Sequence, residues 1–148
     1  LEIGCGTGQI LNNIKTKGTK IGLDYSSNRI ETSPFKKKII FVKSDVKSLP
    51  FANESFENIV MSHFYHELIQ FEKKKNFHTT FKRIISKLKP KGRLIILDHC
   101  DPGAGTCHFI MKNSKLMLYK KFIKKFKYYR KNSMEKNSVY SRRNLQKL

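Results

Sequence analysis

The segment LEIGCGTG, residues 1 to 8, constrains the fold more than any other stretch, because alternate glycines directly after an apolar start leave few backbone solutions. Gly4, Gly6 and Gly8 can adopt left-handed conformations that other residues resist, and they let the backbone approach a ligand closely. From Gln9 onward the chain reads as a helix, so the segment is a short strand, a glycine turn and a helix start whose N–H groups favour polar or anionic groups. That is a nucleotide site in outline. A dinucleotide fingerprint requires G-x-G-x-x-G, whereas here the third glycine comes one place early and Gln9 occupies the reserved position. The glycines alone leave the nucleotide open.

Beyond the turn, short apolar runs alternate with longer amphipathic stretches, a pattern that predicts repeated strand and helix units and a doubly wound α/β sheet of parallel strands. The apolar runs predict strands over 20–23, 39–42, 58–61 and 93–97. Helices are expected over 9–17, 26–33, 72–88 and 115–130, the third marked by Phe77, Phe81, Ile84, Ile85 and Leu88 at helical spacing and stopped by Pro90 and Gly92. Between them, DVKSLPFANESFE is a surface connection, with Pro50 and the run Asn53 to Ser55 breaking helix and favouring turns.

At 148 residues the chain suits one domain and its core. It opens on Leu with little strand ahead of the glycines, which we read as a fragment truncated at the N-terminus and at the C-terminus. Residues 1–110 form the expected core, and 111–148 a basic amphipathic helical segment with a partly flexible tail. No apolar run reaches the roughly 18 residues of a membrane-spanning helix. Cys5, Cys100 and Cys107 are odd in number and unevenly spaced, which argues for a reducing compartment, the cytoplasm or an organelle interior.

The net charge is +20, and more than half of the excess lies between Met111 and Leu148, where Glu135 is the single acid. A field of that sign attracts polyanions, either RNA or an anionic membrane surface, through residues 112–147. Leu116, Tyr119, Phe122, Ile123, Phe126 and Tyr129 share one helical face there, with most lysines opposite. Such a helix covers the sheet or the substrate site, or lies peripherally on a membrane. A lysine-biased surface without a partner is the plainer reading.

Two acids stand at the ends of expected strands. Asp24, in GLD, is placed to accept hydrogen bonds from ribose hydroxyls, and Asp45, in SDV, could accept from an adenine amine near the same crevice. Either aspartate could equally cap a helix, and an acid at the first place suits NAD as well as other adenosine ligands.

Four stretches together carry a resemblance: LEIGCGTG, IGLDYSSNRIE, DVKSLPFANESFENIVMSHFYHEL and FKRIISKLKPKGRLIILD. In this order and spacing, over roughly residues 1 to 100, the chain resembles class I S-adenosylmethionine-dependent methyltransferases of the type 11 domain. It is most similar to the ubiquinone and menaquinone biosynthesis branch. The resemblance implies a Rossmann-like fold and S-adenosyl-L-methionine as cofactor. It implies that Glu2 ends the first strand and that Gly4, Cys5, Gly6 and Gly8 form the turn under the methionine moiety. Asp24 would hold the ribose, Tyr25 would lie against the adenine, Asp45 and Val46 would meet the adenine edge, and Met61, Ser62 and His63 would follow the fourth strand toward the methyl group. One departure is LKPKGRL, where the family usually has two adjacent glycines and this chain has Lys91 before Gly92.

Methyl transfer from a sulfonium needs the two centres brought together and little water, with a general base only for acceptors that lose a proton. His63 and His66, with Glu67 beside them, are the candidate bases, since histidine titrates near neutral pH. One of these histidines could instead face the core. His99, Cys100, Cys107 and His108 lack zinc-site spacing, so no structural metal is expected, and Asp98 is a candidate substrate contact or a strand cap. The expected activity is methyl transfer to a small-molecule or lipid-like acceptor. RNA, including tRNA, is the alternative acceptor, and a non-catalytic cofactor- or partner-binding module the alternative of another class.

Overall fold

In a computed structural model of the chain, the described residues are 1–65, 67–68, 74–99 and 106–112. They form strands β1 (Glu2–Ile3), β2 (Ile21–Asp24), β3 (Ile40–Lys43), β4 (Phe56–Ser62), β5 (Leu88–His99) and β6 (Thr106–Lys112). Helices α1 (Gln9–Asn13), α2 (Ser27–Glu31) and α3 (Lys74–Ser86) lie between them, and a 3-10 turn spans Val46–Ser48. The sheet order is β3-β2-β1-β4-β5-β6, with β1 to β5 parallel and β6 antiparallel to β5. This is the doubly wound parallel sheet expected from the alternating pattern. The strand order reverses between β1 and β4, and in such sheets ligands bind outside the carboxyl ends of the strands at that point.

Register explains the core. Leu23, Ile3, Met61 and Ile96 are successive partners across four strands, and all are buried. With Ile59 and Leu94 in the next row they meet Phe77, Phe81 and Ile84 of α3, where Phe77 stacks on Phe81 with centroids 5.6 Å apart. Tyr65 closes the cluster edge-on to Phe77. The apolar face at helical spacing in α3 is therefore the surface that buries one side of the sheet.

Element ends differ from expectation in instructive ways. Helix α1 stops at Asn13 because Ile14 turns to an extended ψ of 121°. Helix α3 ends at Ser86, where Lys87 N–H donates to Ile84 O at 3.1 Å, and Leu88 already pairs with Phe56. Pairing resumes only at Asn58 with Arg93, so Lys89, Pro90, Lys91 and Gly92 bulge out of β5. Strand β6 falls on residues read in sequence as loop and tail. The expected helix over 115–130 and Cys100 lie outside the described residues.

Candidate functional site

The glycine turn is pinned by its neighbours. Gly4 N–H and Cys5 N–H both donate to Leu23 O, at 2.8 and 3.0 Å, and Gly8 N–H donates to Cys5 O at 2.8 Å. All three turn glycines are left-handed, with φ of 71° at Gly4, 54° at Gly6 and 80° at Gly8. Space matters at two of them. A Cβ on Gly4 would lie 2.5 Å from the Phe64 ring, and one on Gly8 would lie 2.9 Å from Ile39 and Phe41. At Gly6 the nearest atoms would be those of Arg29, no closer than 3.8 Å, so backbone conformation alone requires glycine there.

Asp24 ties this turn to the end of β2. Its Oδ2 accepts from Gly6 N–H at 2.7 Å and its Oδ1 from Ser26 N–H at 2.9 Å. A carboxylate oxygen has two lone pairs, so both retain acceptor capacity. Asp45 serves as a cap as well, accepting from Lys47 N–H at 2.8 Å at the start of the 3-10 turn. The helix-capping role considered for it is therefore real, and it coexists with a place on the cleft wall.

An open cleft of about 290 Å³ lies at the carboxyl ends of these strands. Gly4, Asp24, Tyr25, Asp45, Val46 and His63 line it, so six of the expected residues converge there. Tyr25 is 75% exposed and offers a ring at the rim. His63 follows β4 with φ of 49°, its N–H donating to Leu97 O at 2.8 Å, and shares the wall with Phe64 and Glu67. A non-glycine residue held at positive φ carries strain of the kind concentrated at functional sites.

The remaining expected residues are not on that wall. Gly6 and Gly8 shape the turn from behind, Met61 sits in the core row, and the Cys5 thiol packs on β2, 2.7 Å from where a Cβ on Gly22 would be. Burial, then the charges of Asp24 and Glu2, push that thiol up to about 12, so Cys5 is an unreactive packing group. Asp98 is buried and likewise away from the wall. His66 lies outside the described residues, as do the side chains of His99, Cys107 and His108. Among the described residues no cluster of His, Cys, Asp or Glu could hold a metal ion.

Glu2 and Ser62 form a second layer. Glu2 is 2% exposed, its carboxyl accepts from Leu11 N–H in the first turn of α1, and Oε2 has no partner. Burial raises its pKa to about 7, and the Asp24 charge adds to the effect. Ser62 Oγ is also buried without a partner, on the same sheet face, because Glu2 pairs with Val60 two residues earlier. Sequence reasoning missed Ser26, Arg29, Ser44 and Phe64 as lining residues. The available signal was Ser26 as helix cap, which sets Arg29 one turn later beside the end of β2.

A family model described as a methyltransferase domain matches residues 1–96. The demethylmenaquinone methyltransferase of Lactococcus lactis subsp. lactis is 28% identical over 112 residues, covering 69% of this chain and 42% of that protein. A solved SAM-dependent methyltransferase from Methanosarcina mazei has 26% identity and a TM-score of 0.56, over 65% of this chain and 50% of that one. The fold is shared with a protein from Pyrococcus horikoshii, with a TM-score of 0.57 and 22% identity over 67% of this chain and 48% of that one. The chain thus spans half or less of each of these proteins.

Proposed function

Because the chain belongs to the methyltransferase domain family, we propose that it is the donor-binding core of an S-adenosylmethionine-dependent methyltransferase acting on a small, quinone- or lipid-like acceptor. The observation that carries this reading is one cleft at the strand reversal, walled by Gly4, Asp24 and Asp45. The residues fit such a donor. Gly4 keeps the cleft wall free of a side chain, Asp24 has acceptor capacity for two ribose hydroxyls, and Tyr25 offers a flat face for a base. Asp45 and Val46 would then meet the adenine edge.

When bound, S-adenosylmethionine supplies an electrophilic methyl group on a sulfonium. The protein's part is to orient and to exclude water, and well-oriented reactants can gain about 7–11 kcal/mol. Glu2 and Leu11 hold the turn from behind through a buried hydrogen bond. His63, on the cleft wall after β4, would take the proton of an acceptor hydroxyl or activated carbon as it attacks. The quinone-like acceptor is favoured by the kinship with a demethylmenaquinone methyltransferase.

The test is methyl transfer by the full-length protein from labelled S-adenosylmethionine to a demethylated quinol, with RNA as the competing acceptor. Label in the quinol, reduced about 100-fold or more by His63→Ala, is the expected outcome for base catalysis. Label in RNA would overturn the acceptor assignment. Donor binding without transfer to either acceptor would make the chain a binding module.

A further inference from the structure

Strand β3 ends the sheet order, so its outer backbone edge has no strand beside it among the described residues. From Ser33 to Ser44 the sequence has four lysines and no acid. Lys36, Lys37 and Lys38 occupy the turn that leads into the strand, where Lys38 N–H donates to Phe35 O at 2.8 Å, and Lys43 ends the strand. All four are exposed, and none forms an ion pair among the described residues. Alternation along the chain turns Ile39 in toward Gly8 and Ile40 out, leaving Ile40 57% exposed between the lysines. From Lys43 the chain passes directly to Ser44 and Asp45 on the cleft wall.

Charge selects what such an edge can meet. Residues 113–148 carry Glu135 as their single acid among many lysines and arginines, so this edge repels them, and a second copy of the chain would bring the same lysines. Edge lysines also oppose pairing with an added strand. The fitting partner is anionic, and the large apolar side chain among the cations separates the candidates. A phosphate backbone gives Ile40 nothing to bury against, and the ring of Tyr25, on which a base could stack, stands at the cleft rim rather than on this edge. An anionic bilayer attracts the lysines and takes an apolar side chain below its headgroups. We propose that the β3 edge, through Lys36, Lys37, Lys38, Ile40 and Lys43, docks the protein on an anionic membrane surface. Docked this way, the cleft wall next to Lys43 lies beside the bilayer, where a lipid-like acceptor of the kind proposed above would be dissolved.

Sedimentation of the full-length protein with vesicles tests this, using phosphatidylcholine alone and phosphatidylcholine with phosphatidylglycerol in equal parts. Binding is expected only to the anionic vesicles. Lys36→Gln, Lys37→Gln and Lys38→Gln together should weaken it about 100-fold, and Ile40→Thr about 5-fold. Both variants should keep the wild-type urea midpoint, which shows them folded. No binding by the wild-type protein, or undiminished binding by the triple variant, would overturn the proposal, the second by leaving the attraction to residues 112–147. Binding of single-stranded RNA that the triple variant loses and Ile40→Thr keeps, without vesicle binding, would make the edge a nucleic-acid surface instead. Because vesicle binding is read without donor or acceptor, its failure leaves the proposed methyl transfer standing.

Discussion

Two glycine-bearing turns at opposite ends of the sheet solve the same backbone problem differently. At the carboxyl end, GCGTG gives every left-handed position to glycine, at Gly4, Gly6 and Gly8. At the amino end of β5, KPKG places Lys91 at φ 66° and reserves glycine for position 92, where a Cβ would come within 2.9 Å of Lys89 O and 3.1 Å of Glu57 O and Phe56 O. The first turn must stay bare because Phe64 crowds Gly4 and Ile39 and Phe41 crowd Gly8. The second touches only the protein's own backbone, so a strained lysine there, whose neighbour Lys89 pairs with Glu57, costs stability and nothing else.

Substitutions in the two turns have separable effects. Gly4→Ala has the largest expected effect, about 4 kcal/mol lost in urea unfolding from left-handed strain and the clash with Phe64, together with loss of donor binding. Glu2→Gln is next and acts in the opposite direction. The folded-state pKa of Glu2 is raised from 4.5 to about 7, so the native state binds more protons than the unfolded state between those values. Stability therefore falls as pH rises from about 4.5 through about 7, and the variant should gain about 3 kcal/mol at pH 8 and little at pH 4. Unfolding curves at the two pH values check this, and a gain independent of pH would contradict it.

Smaller effects belong to the amino-end turn. Gly92→Ala should cost about 2 kcal/mol by crowding three carbonyls, with affinity for S-adenosylhomocysteine unchanged in the folded protein. A change in affinity beyond about 2-fold would mean that the two turns are coupled. Lys91→Gly should add about 0.5–1 kcal/mol in thermal or urea unfolding, because the left-handed φ of 66° strains a residue with a side chain. No gain would mean that Lys91 holds its conformation without strain.

The sheet was legible because each buried parallel strand is a short apolar run, and α3 because its apolar residues keep helical spacing. Their ends were not. The pairing of Phe56 with Leu88 is a contact across the chain, and Pro90 and Gly92, read as breakers of a helix, sit in a bulge inside a strand. Strand β6 lacked a signal for a similar reason, since its pairing with β5 is set by register with Arg93 to His99 rather than by its own short apolar centre. At the site, Asp24, Tyr25 and Asp45 were legible from their positions at strand ends. Met61, expected to follow the fourth strand toward the methyl group, lies in the row of Ile3 and Ile96, because strand faces alternate. Arg29 escaped notice because an exposed residue on a short helix has no periodic signature, and only the folded turn brings it to Gly6.

The proposed function requires that the glycine turn and Asp24 together hold a methyl donor. Calorimetric titration of S-adenosylhomocysteine into the wild-type protein and into Asp24→Asn, with NAD as competitor, tests it most directly. The expected result is saturable binding that NAD does not displace and that Asp24→Asn weakens about 10-fold or more, as loss of a charged acceptor does. No binding by a folded wild-type protein, or displacement by NAD, would contradict it.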